Sequence, residues 1–240
     1  MPIAVPLGVS NRHIHVSSDH LTALFGTATL TSARPLLQPG QFAANEAVAV
    51  VGPKGRLDHV RIVGPARGAT QVELAPSDAS TLGIEPPVAA SGQLAQSLGG
   101  VTLIGPSGRV DLSKGVIVAA RHLHLAPADA ERWGLRDGDR LAVNCGRGAR
   151  AVTFHDVLVR SGDAHVTEFH LDEDEAHAAG VVTGDTAEIV GWREAAARAR
   201  MLVTERDVVA ISQRRETIPG NALLTPSARD RARALGLRLP

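Results

Sequence analysis

Two stretches of this chain carry a pair of histidines at the same spacing: Arg12-His13-Ile14-His15 and Arg121-His122-Leu123-His124. Imidazole is a common ligand for transition metals. In a β-strand, residues i and i+2 lie on one face, so each pair presents two ring nitrogens in the same direction. One pair is half a metal site. Its recurrence predicts a duplicated fold that brings two half-sites together.

The likeness between the halves runs past the histidines. In the first half an apolar strand, the histidine pair, a short helix ending near Phe25-Gly26 and further strands lead to Gln71-Val72-Glu73-Leu74 and on to Ala79. In the second, Gly115-Val116-Ile117-Val118, the histidine pair, a helix ending near Gly134-Leu135 and further strands lead to Glu168-Phe169-His170-Leu171 and on to Ala176. Aligned on these closing strands, Glu73 stands opposite His170 and Ala79 opposite Ala176. Each half therefore ends on another metal-capable residue. The candidate ligand sets are His13, His15 and Glu73, and His122, His124 and His170. Imidazole and carboxylate suit zinc, with iron, cobalt or nickel open. Structural zinc usually closes four protein ligands and prefers thiolates, whereas catalytic zinc keeps three and leaves a position free. With Cys145 the one cysteine of the chain, a Cys-rich structural site is impossible, and three plus three favours chemistry.

Arg67 lies in the turn before the Glu73 strand. A guanidinium there can hold an anion such as phosphate through its planar fork; on spacing alone, a solvated turn arginine fits equally well. Arg12 and Arg121 precede the histidines by one residue, so they face the other way and are expected to make structural carboxylate or carbonyl contacts. His20, His59, His155 and His165, taken singly, are expected at the surface or satisfied in the core.

These side chains need a β framework to position them. Gly (24) and Pro (14) punctuate short apolar runs, which predicts many short strands and tight turns. Strands are expected at 4–9, 46–51, 60–63, 71–74, 101–104, 116–119, 140–143, 151–155, 165–170 and 186–190, and short helices at 18–25, 126–133 and 173–179. Ser17-Ser18-Asp19 and Ala126-Pro127-Ala128-Asp129 read as helix starts after each histidine pair. Residues 80–109 have no counterpart in the second half and are expected to bridge the halves. The final stretch differs in character. Trp192–Met201 is Ala/Arg-rich and reads as helical, Thr204-Glu205-Arg206-Asp207 has the form of a capping box, and Thr225-Pro226 opens another helix that Gly236 stops. Residues 195–240 are thus expected to form a helical appendage to a barrel-like core.

Composition narrows the function. A chain of 240 residues can bury a core without staples, and with aromatics at 2% that core must be aliphatic. Stacking platforms for single-stranded nucleic acid are therefore disfavoured. A formal net charge of +0 supplies no global field for nucleic acid or anionic lipid. The cysteine cannot pair within the chain, which fits a reducing, cytoplasmic setting. No secretory signal or membrane-spanning run is expected.

The motifs Val9-Ser10-Asn11-Arg12-His13-Ile14-His15, Gln38-Pro39-Gly40-Gln41-Phe42-Ala43, Val60-Arg61-Ile62-Val63-Gly64-Pro65, Thr70-Gln71-Val72-Glu73 and Ala120-Arg121-His122-Leu123-His124 occur in order. In these the chain, over roughly residues 5–190, resembles the PduL-type phosphotransacylases (phosphate propanoyltransferases) associated with bacterial microcompartments. The resemblance implies two β-barrel domains capped by short helices. One would comprise residues 1–11 and 120–194, and the other, inserted, residues 12–119. It implies two zinc ions and reversible acyl transfer between coenzyme A and phosphate, with acyl-CoA, phosphate and acyl phosphate as partners. The family's ligands fall on the same six residues, and its phosphate-binding arginine falls on Arg67. No residue is singled out for coenzyme A; Lys54, Arg56, Arg147 and Arg150 are basic and near turns.

Departures from the family pattern occur as well. His177 stands where members usually have Asn, either as an extra ligand or as a neutral change. With twelve residues before His13, the amphipathic targeting extension of many microcompartment members is not expected. The C-terminal stretch is similar in style to terminal segments of other microcompartment enzymes, which leaves open shell or lumen partners, a homo-oligomer, or simple packing on the core. Two rival functions use the same ligands: a binuclear zinc hydrolase of a thioester or phosphoester, and a metal-stabilised microcompartment scaffold.

Overall fold

The computed structural model describes residues 2–193, 202–214, 216–218 and 222–239. In chain order the first half holds β1 (Ile3–Ser10), β2 (His13–His15), α1 (Ser18–Phe25), β3 (Ser32–Pro35), β4 (Phe42–Val51), β5 (Arg56–Gly64), β6 (Gln71–Leu74), α2 (Pro76–Leu82), β7 (Val88–Ala89), β8 (Val101–Ile104), β9 (Arg109–Leu112) and β10 (Val116–Ala119). Then follow β11 (His122–Leu125), α3 (Pro127–Trp133), β12 (Arg140–Cys145), β13 (Val152–Ser161), β14 (Glu168–Asp172), α4 (Glu173–Ala179) and β15 (Thr186–Arg193). The C-terminal stretch holds β16 (Leu202–Val203), α5 (Glu205–Gln213), β17 (Leu223–Leu224) and α6 (Pro226–Ala234). The protein is mainly β, with six short α-helices among the described residues.

Six strands close into a barrel in the order β1-β14-β11-β13-β12-β15, with β15 returning to pair with β1. The N-terminal strand thus completes a sheet built otherwise from the second half. The remaining strands of residues 13–119 form one nine-stranded sheet, β7-β10-β6-β2-β5-β4-β8-β9, with β3 attached to β4. That sheet is open rather than the closed barrel expected, because β7 and β9 each find a neighbour on one side only. Residues 80–109 do not bridge the halves. They finish α2 and supply the edge strand β7 and the inner strand β8.

Alternation decides what each strand buries. Leu123 and Leu125 in β11, Phe169 and Leu171 in β14 and Val5 and Leu7 in β1 fill one apolar core. Ile14 in β2, Ile62 in β5 and Val72 and Leu74 in β6 fill a second, which also takes Leu21 and Leu24 of α1. Each of these larger side chains contributes roughly 1.5–3 kcal/mol when fully buried. Because the period is two, the histidines between them face away from the cores.

Helix boundaries follow local chemistry. Ser17 Oγ accepts from His20 N at the start of α1, and α1 ends at Gly26 with φ of 72°. Asp172 and Glu175 form a reciprocal capping box on α4. Sequence reading missed α2: Ala75 lacks the side-chain oxygen of a cap, and the start is held instead by Ala75 N donating to Asp78 Oδ2 at 3.2 Å. The expected helix at Trp192–Met201 is overturned where it can be seen. Trp192 and Arg193 continue β15, with Trp192 opposite Leu141, so strand pairing overrides the local preference. Residues 194–201 lie outside those described.

The chain divides into two compact units, 1–193 and 194–240. The second has its own small core of Val203, Val208, Ile218, Leu224, Ala228 and Ala232. Its helices begin where sequence predicts. Thr204 and Asp207 form the capping box of α5, and Thr225 caps α6 with Pro226 next. Sequence reading did not foresee its two-residue strands, β16 and β17, which pair in parallel.

Candidate metal centre

His13 and His15 project from β2, and Glu73 projects from the antiparallel neighbour β6, where it pairs directly with His13. His122 and His124 project from β11, and His170 from β14, where it pairs directly with His122. In each trio the available nitrogen and oxygen atoms lie within 4.8 Å of one another. His13 Nε2 is 3.6 Å and His15 Nε2 3.7 Å from the Glu73 carboxylate. His122 Nε2 and His124 Nε2 are 3.1 Å apart. His13, Glu73, His122 and His170 all line one cleft, together with Ser10, Asn11 and the 119–121 segment among others. The six residues chosen from sequence are thus brought together as two trios, four of the six lining one cleft.

The ring orientations suit a metal. His13 Nδ1 lies 2.8 Å from the Asn11 carbonyl, and His122 Nδ1 lies 2.9 Å from the Ala120 carbonyl, two residues upstream in both cases. His15 Nδ1 lies 3.2 Å from the Val63 carbonyl. A carbonyl can only accept, so each Nδ1 carries the proton and each Nε2 keeps its lone pair, as in ligands oriented by outer partners. His124 Nδ1 is buried without a hydrogen-bond partner among the described residues.

Charge states agree. Burial lowers the pKa of His15 to about 3, helped by the charges of His13 and Arg67. Burial and His170 lower His122 to about 4, and burial with His122, His170 and His165 lowers His124 to about 2. Burial opposes ionisation of Glu73, but His13 and His15 outweigh it and hold the carboxyl below its usual range. Neutral His15, His122 and His124, with an ionised Glu73, are the donor states a divalent cation needs.

The arginines of the histidine motifs behave as expected. Arg12 Nε lies 2.8 Å from Asp78 and Arg121 Nε 2.8 Å from Glu175. Those carboxylates occupy matching third positions of α2 and α4. Arg12 also reaches Glu173, and Ser77 bonds Asp174, so α2 and α4 are tied across the two sheets.

The model of the phosphate propanoyltransferase family matches residues 6–182. A phosphate propanoyltransferase of Thermotoga maritima is 48% identical over 185 residues, covering 77% of this chain and 88% of the relative. One from Rhodobacter capsulatus is 48% identical over 181 residues, covering 75% and 83%. One from Shewanella putrefaciens is 42% identical over 202 residues, covering 84% and 90%. The chain belongs to the phosphate propanoyltransferase family. Within that family of transferases, its remaining candidate residues can be sorted by their surroundings.

Arg67 is half-buried. Its backbone N–H donates to the Val16 carbonyl at 2.8 Å, which seats it beside the His15 end of β2. Its guanidinium makes no hydrogen bond or ion pair among the described residues. Burial lowers its pKa, Glu73 acts against this, and Arg160 adds to it. Of the basic residues considered for coenzyme A, Arg56 is paired with Asp58 at 2.6 Å, and Arg150 binds the His177 and Ala178 carbonyls at the end of α4. Lys54 and Arg147 have no such partners among the described residues. His177 is exposed on α4 and belongs to neither trio.

Sequence reading missed several residues at the centre. Gln71 donates to Glu73 and accepts from Gly92 N at 2.8 Å. Glu168 lies 2.6 Å from His170 Nε2, and Gln38, from the loop before β4, donates to it at 3.4 Å. His165 packs on His124 with ring centroids 4.5 Å apart. Arg160 is opposite His124 in the β11–β13 pairing. Gln71 and Glu168 had a readable signal: each sits two residues before the third member of a trio, on the same strand face.

Proposed function

We propose that this chain is a zinc-dependent phosphate acyltransferase. It would interconvert a short-chain acyl-CoA, propanoyl-CoA or acetyl-CoA, plus phosphate with acyl phosphate plus coenzyme A. The observation that carries this reading is a single cleft lined from both trios in a chain of this family. The six ligands would be His13, His15 and Glu73 for one ion and His122, His124 and His170 for the other. Zinc held there supplies Lewis acidity toward a phosphate oxygen and the thioester carbonyl.

The residues of the chain do the rest. Arg67 binds phosphate and offsets charge as the tetrahedral state develops. Holding both reactants in one small cleft lowers the entropic cost of their meeting. A phosphate oxygen bonds to the carbonyl carbon, the carbon–sulfur bond breaks, and coenzyme A leaves as its thiolate. No acyl-enzyme is needed. Cys145 is 1% exposed, and burial pushes its thiol up to about 12, so it is no nucleophile.

The architecture we infer is a duplicated pair of domains, residues 1–11 with 120–194 and residues 12–119, followed by a helical appendage at 195–240. Support for the duplication comes from the equivalent pairings His13–Glu73 and His122–His170 and from the matching Arg12–Asp78 and Arg121–Glu175 contacts. On its resemblance we place the protein in the cytoplasm, open to encapsulation in a microcompartment. No described helix is long and apolar enough to cross a membrane.

The test is an assay of propanoyl-CoA and acetyl-CoA, with and without phosphate, on protein of measured zinc content. Acyl phosphate formed only with added phosphate supports transfer. Free acid formed without phosphate identifies the hydrolase, and no turnover with unfolding on zinc removal identifies the scaffold.

A further inference from the structure

His20 and Thr70 belong to neither trio, yet both bear on the segment that carries Arg67. That segment, Pro65-Ala66-Arg67-Gly68-Ala69, joins β5 to β6 and is exposed or half-buried throughout. Apart from Arg67 it has no polar side chain, so no other side chain of its own can tie it down by a hydrogen bond. Backbone contacts and its two flanks must hold it. Arg67 N–H donates to the Val16 carbonyl at 2.8 Å, and Arg67 bridges Ser17 in parallel.

Thr70 closes the segment. It directly precedes β6 and is 7% exposed. Its backbone is packed against Gly115, where a Cβ would come within 2.4 Å of the Thr70 carbonyl oxygen. Its hydroxyl is the centre of a network. It donates to Ser17 Oγ at 3.3 Å and accepts from Ser17 N at 3.0 Å, and His20 Nδ1 lies 2.8 Å from it. With the hydroxyl proton given to Ser17, His20 presents Nδ1 as a donor, and the one donor and two acceptor positions of the hydroxyl are all used. Capping α1 needs only Ser17 Oγ and His20 N. The Thr70 hydroxyl and the His20 ring go beyond a cap and join parts of the chain 50 residues apart.

The two parts so joined meet at the candidate centre. Ser17 follows His15 by two residues, and the charge of Arg67 is felt by His15 and that of Glu73 by Arg67. We propose that the Thr70 hydroxyl, with Ser17 and His20, is a positioning network for Arg67, fixing the guanidinium relative to the His15 end of β2 and so setting how tightly phosphate is held. Thr70 and His20 act through Arg67 and are assigned no contact with substrate. This rests on the phosphate-binding role given to Arg67 above.

The test is steady-state kinetics on full-length, metal-loaded protein, with phosphate and propanoyl-CoA varied in turn and metal content measured. Thr70→Val keeps the branched shape and removes the hydroxyl. It should raise the KM for phosphate roughly 10-fold, short of the ~100-fold that a misplacement of about 1 Å can cost. The KM for propanoyl-CoA and the metal content should stay near wild type. Thr70→Ser, which keeps the hydroxyl, should restore the phosphate KM. In an Arg67→Ala background Thr70→Val should add nothing, because residues that act through one another are not additive. Both KM values rising alike, loss of metal, or a full effect retained in the Arg67→Ala background overturns the proposal, since Thr70 would then serve the fold or the trio. An unchanged phosphate KM in Thr70→Val overturns it too, while a raised one in Arg67→Ala leaves the role of Arg67 standing. If Thr70→Val does not fold, His20→Ala replaces it, because the cap bond to the backbone N of residue 20 survives. A selective rise in the phosphate KM is again expected, and its absence overturns the proposal. Arg67→Ala with unchanged phosphate kinetics overturns the role of Arg67 itself, and this inference with it.

Discussion

Arg67 is a half-buried cation whose side chain makes no hydrogen bond among the described residues, so its removal should be felt by an anion rather than by the fold. Arg67→Ala is expected to raise the KM for phosphate and lower turnover, with kcat/KM falling on the order of 100-fold. Its melting temperature should stay near wild type. Steady-state kinetics with phosphate varied decide it, and an unchanged phosphate dependence excludes the role. Cys145 makes the opposite case. Burial raises its thiol to about 12, so at pH 8 it stays protonated and out of reach. A thiol reagent should find no reactive group in the folded protein and one equivalent after unfolding. Fast labelling of the folded state would contradict that placement.

At the scale of elements, α2 and α4 anchor the strands that present the third residue of each trio, because each helix starts directly after that strand. Asp78 both accepts from Ala75 N and meets Arg12, and it is 3% exposed. Asp78→Ala should cost about 1–2 kcal/mol by loss of the cap, visible as a lower denaturation midpoint. Asp78→Asn, which keeps an acceptor in place, should cost less. Equal losses in the two variants would mean that the cap matters less than the carboxylate charge facing Arg12. The helix starts were readable wherever a Ser, Thr or Asp cap or a Pro announced them. The start of α2 was not, because Ala75 is no cap and the stabilising carboxylate comes three residues later.

For the whole molecule, the two trios couple metal, pH and stability. Removing zinc with a chelator should abolish turnover and lower the melting temperature, and added zinc should restore both. Activity retained in demonstrably metal-free protein would reject the zinc reading. The metal-free form also has a defined pH response. In the unfolded chain, histidines bind protons near pH 6.5. In the folded chain His15, His122 and His124 stay neutral down to about 3, 4 and 2. Between these limits the unfolded state holds more protons, so stability is full above about pH 6.5 and is lost as pH falls toward 4. Thermal melts of chelated protein from pH 7.5 to 4.5 should show this decline. A melting temperature that rises on acidification would contradict it.

The six residues of the two trios were legible in the chain itself. An i, i+2 spacing within a strand is a local property, and the repeat transferred the third member of the trio from one half to the other. Turn punctuation and capping residues likewise marked most strands and helices, since a few adjacent residues decide them. What the tertiary structure alone decided depends on closure between distant strands. Trp192 became β because Leu141 lies beside it. The larger sheet stayed open because its two edge strands do not meet. Gln38 came to hold Glu168 because two sheets, not one, enclose the site. The histidine spacing announced two trios. Only the pairing of β11 with β14 showed that Glu168 stands opposite His124 in one of them.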